Sequence, residues 1–153
     1  MRLGVISDTH GLLRPEARRA LHGVQLIIHA GDVGAPEILT QLKLIAPVFA
    51  VRGNVDTQPW AQELPLSTVV ETSGFRFYVL HSLQDLDLNP QAAGFDAVIS
   101  GHTHQAEQRL DAGVLYLNPG SAGPRRFQLP VTLAFLEITK KPWNVEIVRL
   151  LAP

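Results

Sequence analysis

The sequence of 153 residues contains no cysteine. This absence excludes disulfide bonds, thiolate nucleophiles and zinc sites that use cysteine ligands. It also favours a cytoplasmic location, where disulfides are rare. Any catalytic or metal-binding chemistry of this protein must therefore rely on oxygen and imidazole donors.

The sequence also lacks an excess of charge of either sign. Its 13 Lys and Arg residues and 14 Asp and Glu residues give a formal net charge of -1, and the basic residues are scattered along the chain. Proteins that bind nucleic acid or anionic membrane surfaces concentrate Lys and Arg. Neither of these partners is predicted, and any recognition of phosphate must be local.

No apolar run in the sequence is long enough to span a membrane. The N-terminal segment MRLGVISDTHG reaches an aspartate and a histidine before it attains the length of a signal peptide. Hydrophobic residues make up 46% of the chain and charged residues 18%, which is the balance of a packed globular protein. We therefore expect a soluble cytoplasmic protein with a single domain over residues 1–153.

The first half of the chain alternates short aliphatic runs with helix-like segments. The aliphatic runs are RLGVIS, VQLIIHA and APVFAVR, and the segments between them have Pro15 and Pro36 at the first helical position. Gly23 follows the first of these segments, as expected for a helix end. The pattern predicts three parallel strands joined by two helices in right-handed crossovers.

The second half of the chain is typical of antiparallel or mixed strands. The segments STVVET and FRFYVLH flank Ser73 and Gly74 as in a β-hairpin, and DAVISGH, GVLYLN, VTLAFLEIT and WNVEIVRLL follow. A short helix is also predicted over residues 89–94, because Asn89 can cap it, Pro90 suits its first turn and Gly94 can end it.

Polar side chains directly follow five of the predicted strands. In chain order they are Asp8, His10, Asp32, Asn54, His81, His102 and His104. Ligands of open α/β sheets bind at the carboxyl ends of the strands, so these side chains are expected to meet at one edge. Residues two apart in an extended segment face the same way, which predicts that Asp8 and His10 point together. The same argument applies to His102 and His104, and the glycines before Asp32, Asn54 and His102 permit close backbone approach.

Oxygen and imidazole donors without a thiolate suit divalent ions such as Mn, Fe, Ni, Co or Zn. Seven donors exceed the needs of one catalytic ion. If one carboxylate bridges, the first site contains Asp8, His10, Asp32 and His104, and the second contains Asp32, Asn54, His81 and His102. Two divalent ions against two carboxylates leave a surplus of about two positive charges, which attracts phosphate. Such ion pairs are typical of phosphoester hydrolysis.

The ordered motifs DTH, GD, GN, a single H after a strand, and GHTH resemble the metallophosphoesterase superfamily, also called calcineurin-like phosphoesterases. The chain is most similar to the small single-domain bacterial and archaeal phosphodiesterases, which share a segment like NPGSAGPR at residues 118–125. The resemblance covers residues 4–126. It implies an α/β fold, a two-sheet β-sandwich flanked by helices in four layers (α/β/β/α) with mixed parallel and antiparallel strands. It also implies two divalent metal ions, most often Mn, with Asp32 bridging.

The resemblance further implies hydrolysis of a small phosphodiester by a hydroxide that bridges the two metals. The implied catalytic residues are Asp8, Asp32, Asn54 and His102. Phosphomonoesterase or nuclease activity with the same metals is an alternative. A different class of function is a non-catalytic interaction scaffold, because the retromer subunit with this fold acts mainly by binding partners. Small relatives are often dimers or tetramers, which favours a homodimer or homotetramer.

Two positions depart from the family pattern. Many relatives follow the GN asparagine with a histidine or cysteine, and histidine can protonate the leaving oxygen, but here the residue is Val55. Good leaving groups are therefore expected, because general acid catalysis typically contributes about 10² to 10⁴ in rate. Asp56 is a candidate replacement for the missing acid. After His81, relatives often read HGH, whereas this chain reads HSLQ.

Several further residues have weaker predicted roles. Arg125 is a candidate for substrate binding together with Asn54, because a guanidinium can hold two phosphate oxygens. Arg52 and Arg126 are considered for the same reason. His29 and Asp56 are candidates for orienting metal ligands from behind, as partners of ligands commonly do, with a buried structural role as the alternative for His29.

Overall fold

Ten strands form two five-stranded sheets in the computed structural model, which describes residues 1–152. In chain order the strands are β1 (Arg2–Ile6), β2 (Leu26–His29), β3 (Val48–Ala50), β4 (Ser67–Thr72), β5 (Phe75–Leu80), β6 (Ala97–Ile99), β7 (Glu107–Asp111), β8 (Val114–Asn118), β9 (Thr132–Glu137) and β10 (Asn144–Arg149). The first sheet has the order β10-β9-β1-β2-β3, and the second has the order β4-β5-β6-β8-β7. The predicted two-sheet α/β sandwich with mixed strands is confirmed.

Each sheet combines three neighbouring parallel strands with two antiparallel strands. In the first sheet β1, β2 and β3 are parallel, as predicted, while β9 and β10 are antiparallel additions. In the second sheet β4 and β5 form the predicted hairpin, β5, β6 and β8 are parallel, and β7 pairs antiparallel with β8. The parallel strands of both sheets can therefore deliver side chains from their carboxyl ends.

Two α-helices cover the outer face of the first sheet. Helix α1 (Pro15–Ala20) and helix α2 (Pro36–Lys43) each begin with the predicted proline. Their buried residues, including Ala17 and Leu42, pack with Ile6 and Ile27 of the sheet. No helix within residues 1–152 is long and apolar enough to cross a membrane.

The main core lies between the two sheets. Alternate residues of β1, Leu3 and Val5, face this core and are fully buried, as the period of two in a strand requires. From the second sheet Phe77 and Ile99 meet them. Burying side chains of this size stabilises the fold by about 1.5 to 3 kcal/mol each, so the core fixes how the sheets are stacked.

The outer face of the second sheet is covered by turns instead of an α-helix. The prediction of a helix over residues 89–94 is wrong, because this segment forms successive turns. Its N–H groups bond at mixed spacings, with Ala93 donating to Asn89 and Phe95 donating to Pro90, so no regular helical ladder forms. Phe95 packs against Tyr78 and helps to cover the sheet.

Candidate metal centre

The structure brings the seven polar side chains that follow the strands to one rim of the sandwich. Their potential ligand atoms form two groups, each with all atoms within 4.8 Å of one another, namely Asp8, His10 and His104, and Asp32, His81 and His102. Asn54 completes the second group, because its Oδ1 lies 3.1 Å from Nδ1 of His102. The first sheet supplies Asp8, His10, Asp32 and Asn54, and the second supplies the remaining histidines.

Asp32 lies between the two groups. Its Oδ2 is 3.6 Å from Nε2 of His10 and 3.2 Å from Nε2 of His81. Its other oxygen, Oδ1, accepts a hydrogen bond of 3.0 Å from the backbone N–H of Val55, which holds the carboxylate in place. Asp32 therefore lies within 3.6 Å of a histidine of each group.

The donor set fits a cation, because some of its buried atoms have no partner within residues 1–152. Asp8 is fully buried, and its Oδ2 accepts hydrogen bonds from the Ser7 hydroxyl (2.7 Å) and the backbone N–H of His102 (3.1 Å). Its Oδ1 has no hydrogen-bond partner and lies 3.4 Å from Nε2 of His104. A buried polar atom without a partner is costly, and a bound cation would satisfy this oxygen.

His81 is held in the tautomer that metal binding requires. Its Nδ1 lies 2.7 Å from the carbonyl oxygen of Ala30, which can only accept, so Nδ1 carries the proton. Its Nε2 is buried without a hydrogen-bond partner and is directed towards Asp32. A hydrogen bond from the ring nitrogen that does not bind the metal, such as the one to Ala30, typically orients a ligating imidazole.

Electrostatics at the site favours ionised carboxylates. Burial raises the pKa of Asp8, but His10, His104 and the Ser7 hydroxyl lower it more, so the pKa lies far below its usual range. The pKa of Asp32 is also lowered, because His81 and the N–H of Val55 outweigh the effect of burial. Burial lowers the pKa of His81, but the neighbouring carboxylates and the Ala30 carbonyl raise it overall. Both carboxylates are thus charged and available as ligands at neutral pH.

Five of the seven candidate ligands have left-handed backbone conformations. The φ angles are 56° for Asp8, 46° for His10, 55° for Asp32, 75° for His102 and 63° for His104. The prediction that the pairs at positions 8 and 10 and at positions 102 and 104 align because their segments are extended is therefore wrong in its geometry. Non-glycine residues rarely adopt positive φ, and such strain is concentrated at functional sites.

Two glycines allow the loops of the site to touch. A side chain at Gly53 would overlap the backbone nitrogen and Oδ1 of Asp32, and one at Gly101 would overlap Oγ of Ser7 and Oδ2 of Asp8. The predicted close backbone approach before Asn54 and His102 is therefore confirmed. At both positions the reason is space, since neither glycine has a positive φ.

Asp56 organises the site from below. Its Oδ2 accepts hydrogen bonds from the N–H groups of Val33 (3.1 Å) and Gly53 (2.9 Å), and its Oδ1 accepts one from Gly34 (2.9 Å). The carboxylate is buried and joins the loops that follow β2 and β3. These bonds occupy both oxygens, so the geometry contradicts the suggestion that Asp56 replaces the missing proton donor.

His29 is a buried neutral imidazole behind the site. Its Nδ1 accepts the N–H of Gly31 (3.1 Å), and its Nε2 lies 3.0 Å from the Thr9 hydroxyl, which itself donates to the carbonyl of Val33. Complete burial lowers the pKa of His29 from 6.5 to about 4. His29 thus ties together the loops after β1 and β2, and it contacts the backbone of the ligand loops instead of a ligand side chain.

The arginines lie outside the donor cluster. The guanidinium of Arg125, a candidate for substrate binding, donates to the carbonyl of Ala152 at 3.1 Å and is exposed. Arg52 lines a neighbouring cleft but donates to Gln62, and Arg126 is exposed. The structure therefore does not bring Arg125 or Arg126 to the candidate ligands.

Sequence reasoning did not assign three residues that support the site. Ser7 fixes Asp8, and the Ser121 hydroxyl donates to the Asp8 carbonyl at 3.0 Å. Asn118 donates through Nδ2 to the carbonyl of Gly101 and to the hydroxyl of Thr103, which fixes the turn between the two histidines. Asn118 ends β8, so the rule that polar residues at strand ends build the site could have identified it.

The chain is similar to known proteins in sequence. A family model for the calcineurin-like phosphoesterase superfamily domain matches residues 1–141. A protein of Methanothermobacter thermautotrophicus named "Probable metallophosphoesterase" is 39% identical over 165 aligned residues, which cover 100% of this chain and 95% of that protein. Both similarities extend over all the candidate ligands.

Solved structures share the fold. A novel archaeal phosphodiesterase superposes with a TM-score of 0.80 at 25% identity, and the match covers 97% of this chain and all of that one. The Vps29 protein of Entamoeba histolytica, solved in complex with Zn²⁺, superposes with a TM-score of 0.75 at 24% identity, covering 98% of this chain and 99% of Vps29. At that identity the likeness to Vps29 is one of fold alone.

Proposed function

Because this chain belongs to the calcineurin-like phosphoesterase superfamily, we propose that it is a metal-dependent phosphodiesterase that acts on a small phosphodiester. The observation that carries the proposal is the donor cluster, in which Asp8 and His81 each keep a buried, unpartnered ligand atom. We propose two divalent ions, most often Mn, with Asp32 shared between them. Bound ions of this kind supply a Lewis acid for phosphoryl oxygens and lower the pKa of water.

The side chains of this protein hold the ligands and position the substrate. Ser7, Asp56 and Asn118 fix the loops that carry the donors, so the set is formed before the ligands bind. The amide Nδ2 of Asn54 makes no hydrogen bond within residues 1–152, which leaves it free to donate to a phosphoryl oxygen. In the reaction, water forms a new bond to phosphorus, one ester P–O bond breaks, and the alcohol departs.

The departing alcohol receives little help from the protein. Val55 follows Asn54, and its side chain is 43% exposed and has no acidic proton to donate. Asp56, the nearest carboxylate in sequence, is committed to backbone N–H groups. We therefore expect a preference for alcohols that leave as stable anions, such as aryl alcohols.

The test combines elemental analysis with hydrolysis of bis(4-nitrophenyl) phosphate. The variants Asn54→Ala and His102→Ala are expected to lose metal and at least about 10²-fold in activity, since weakening a ligand's support alone costs 10- to 100-fold. His22→Ala is the matched control, because His22 is an exposed histidine in the turn after α1 and belongs to neither ligand group. A parent protein that shows no turnover with Mn, Ni, Co or Zn would contradict the proposal.

The interaction scaffold is the second candidate, and the fold it shares with Vps29 favours it. Metal binding alone does not separate the two functions, because that Vps29 was itself solved with Zn²⁺. Turnover is the deciding measurement. A folded, metal-loaded protein without phosphoesterase activity would support the scaffold.

Phosphomonoesters and nucleic acids are weaker candidates as substrates. Terminal phosphates need extra positive contacts, but Arg52 donates to Gln62 and Arg125 to the carbonyl of Ala152 rather than to the candidate ligands. Nucleic acids need a basic track. Hydrolysis rates measured on matched aryl phosphomonoesters and phosphodiesters would separate these substrate classes.

The expected homodimer or homotetramer is a separate question, and sedimentation of the purified protein would test it.

A further inference from the structure

A cleft of about 530 Å³ opens beside the second group of the metal centre. Its inner end contains Asn54, His81 and His102. His81 is 6% exposed, and its Nε2, which has no hydrogen-bond partner within residues 1–152, lies 3.2 Å from Oδ2 of Asp32. A phosphate bound at the centre would therefore place one of its organic groups in this cleft.

The outer wall of the cleft carries two unpaired carboxylates. Asp85 and Asp87 line it, and neither forms an ion pair within residues 1–152. Arg52 is the one basic residue among the described lining residues, and its guanidinium donates to Gln62 at 2.6 Å. Apart from the metal ligands, the cleft thus presents two negative charges against the one positive charge of Arg52, which leaves an excess of one negative charge.

The wall also contains apolar and aromatic side chains beside the uncharged polar residues Ser67, Ser82 and Gln84. Tyr78 lines the cleft, and Leu66 lines it with 66% of its surface exposed. An aromatic ring attracts a cation through its negative face, and an apolar side chain packs against methyl groups. Carboxylates, an aromatic ring and an aliphatic surface together suit an alkylated ammonium group.

We infer that this protein selects phosphodiesters in which one organic group carries a positive charge, such as a quaternary ammonium. The inference rests on the proposed function and specifies its substrate class. The anionic phosphate is drawn to the metal centre, while the cationic group is drawn to Asp85 and Asp87. A nucleic acid would instead bring further phosphates towards these carboxylates, so it is disfavoured.

The inference also gives a role to the segment that departs from the family pattern. Residues 82–87, SLQDLD, directly follow His81, where relatives often continue with glycine and histidine. Four members of this segment, Ser82, Gln84, Asp85 and Asp87, line the cleft. The segment that departs from the family pattern therefore forms part of the cleft wall, beside the candidate ligand His81.

The test compares two soluble 4-nitrophenyl diesters that differ by one atom. One carries choline, and the other carries 3,3-dimethylbutanol, in which carbon replaces the charged nitrogen. The parent protein is expected to favour the choline ester by about fivefold in kcat/KM, a modest factor because both carboxylates are exposed to solvent. The double variant Asp85→Asn/Asp87→Asn is expected to bring the ratio close to one, and added salt should reduce it in the parent.

Glu37→Gln is the matched control for charge. Glu37 is an exposed carboxylate on α2 that forms no ion pair within residues 1–152, so its loss changes net charge without touching the cleft. This variant should keep the preference of the parent. Turnover of both esters without preference, or a preference that survives the double variant, overturns the inference while the proposed function stands. Absence of turnover with either ester overturns both.

Discussion

Replacing Asp56 should destabilise the protein and weaken metal binding together. The carboxylate accepts three backbone N–H bonds of 2.9 to 3.1 Å while buried. Hydrogen bonds to charged groups contribute about 1.5 to 3 kcal/mol each, so the loss of three of them in Asp56→Ala should cost roughly 4.5 to 9 kcal/mol. Because total stabilities are about 5 to 15 kcal/mol, Asp56→Asn is the better test.

The asparagine variant should lose roughly 2 kcal/mol. Its amide oxygen can still accept the N–H groups of Val33 and Gly53, but its NH₂ group would face the backbone N–H of Gly34, and two donors cannot form a hydrogen bond. Urea unfolding of metal-free protein measures this loss, and competition with a chromogenic chelator measures metal affinity. Affinity should fall because Asp32 and Asn54 lie on the two loops that Asp56 joins. Glu37→Gln serves as control. A loss below about 0.5 kcal/mol, within the range of ordinary surface substitutions, would refute the reasoning.

Three further predictions address the chemistry, the packing and the pH dependence. Val55→His should raise kcat/KM at least about tenfold for diesters with poor leaving groups and leave bis(4-nitrophenyl) phosphate unchanged, because it adds a proton donor. A leaving-group series measures this, and an unaltered dependence on the alcohol's pKa would contradict it. Gly101→Ala should lower kcat about 10²-fold, because its methyl group overlaps Ser7 and Asp8 and displaces the carboxylate. Activity close to that of the parent would contradict this prediction, because it would show that the loops shift to accommodate the methyl group without displacing Asp8. The folded state holds the pKa of His29 near 4, whereas unfolding restores about 6.5, so the unfolded chain binds more protons between these values. His29 should therefore lower the free energy of unfolding by about 3 kcal/mol as the pH drops from about 6.5 to 4, and this contribution should be absent in His29→Gln. Equal slopes for the two metal-free proteins would contradict this account.

The sequence predicted the architecture where its patterns were strong. The aliphatic runs before Asp8, Asp32 and Asn54 became parallel strands, because period and turn residues agreed there. The hairpin at Ser73 and Gly74 was found for the same reason. The candidate ligands were found because each follows a buried strand, so their proximity is a consequence of sheet topology.

Other features depend on surroundings that no local pattern records. Strand β7 escaped prediction because all five of its residues are exposed, which removes the alternation that indicates a strand. Helix propensity does not decide over six residues, so packing does: α1 has the same length but buries Ala17 in the core, whereas residues 89–94 form turns. The positive φ angles of Asp8 and His10 are imposed by backbone bonds to the loop after β2, with His10 donating to the Asp32 carbonyl. The role of Asp56 likewise appears only when two distant loops meet.

The division of the donors between the two sheets has a mechanical consequence. Asp8 and Asp32 belong to one layer, while His81 and His104 belong to the other. A cation held by both layers would fix the two sheets relative to each other, because any sliding of one sheet over the other would pull the ligands apart. The two sheets could then slide over each other only when no cation is bound.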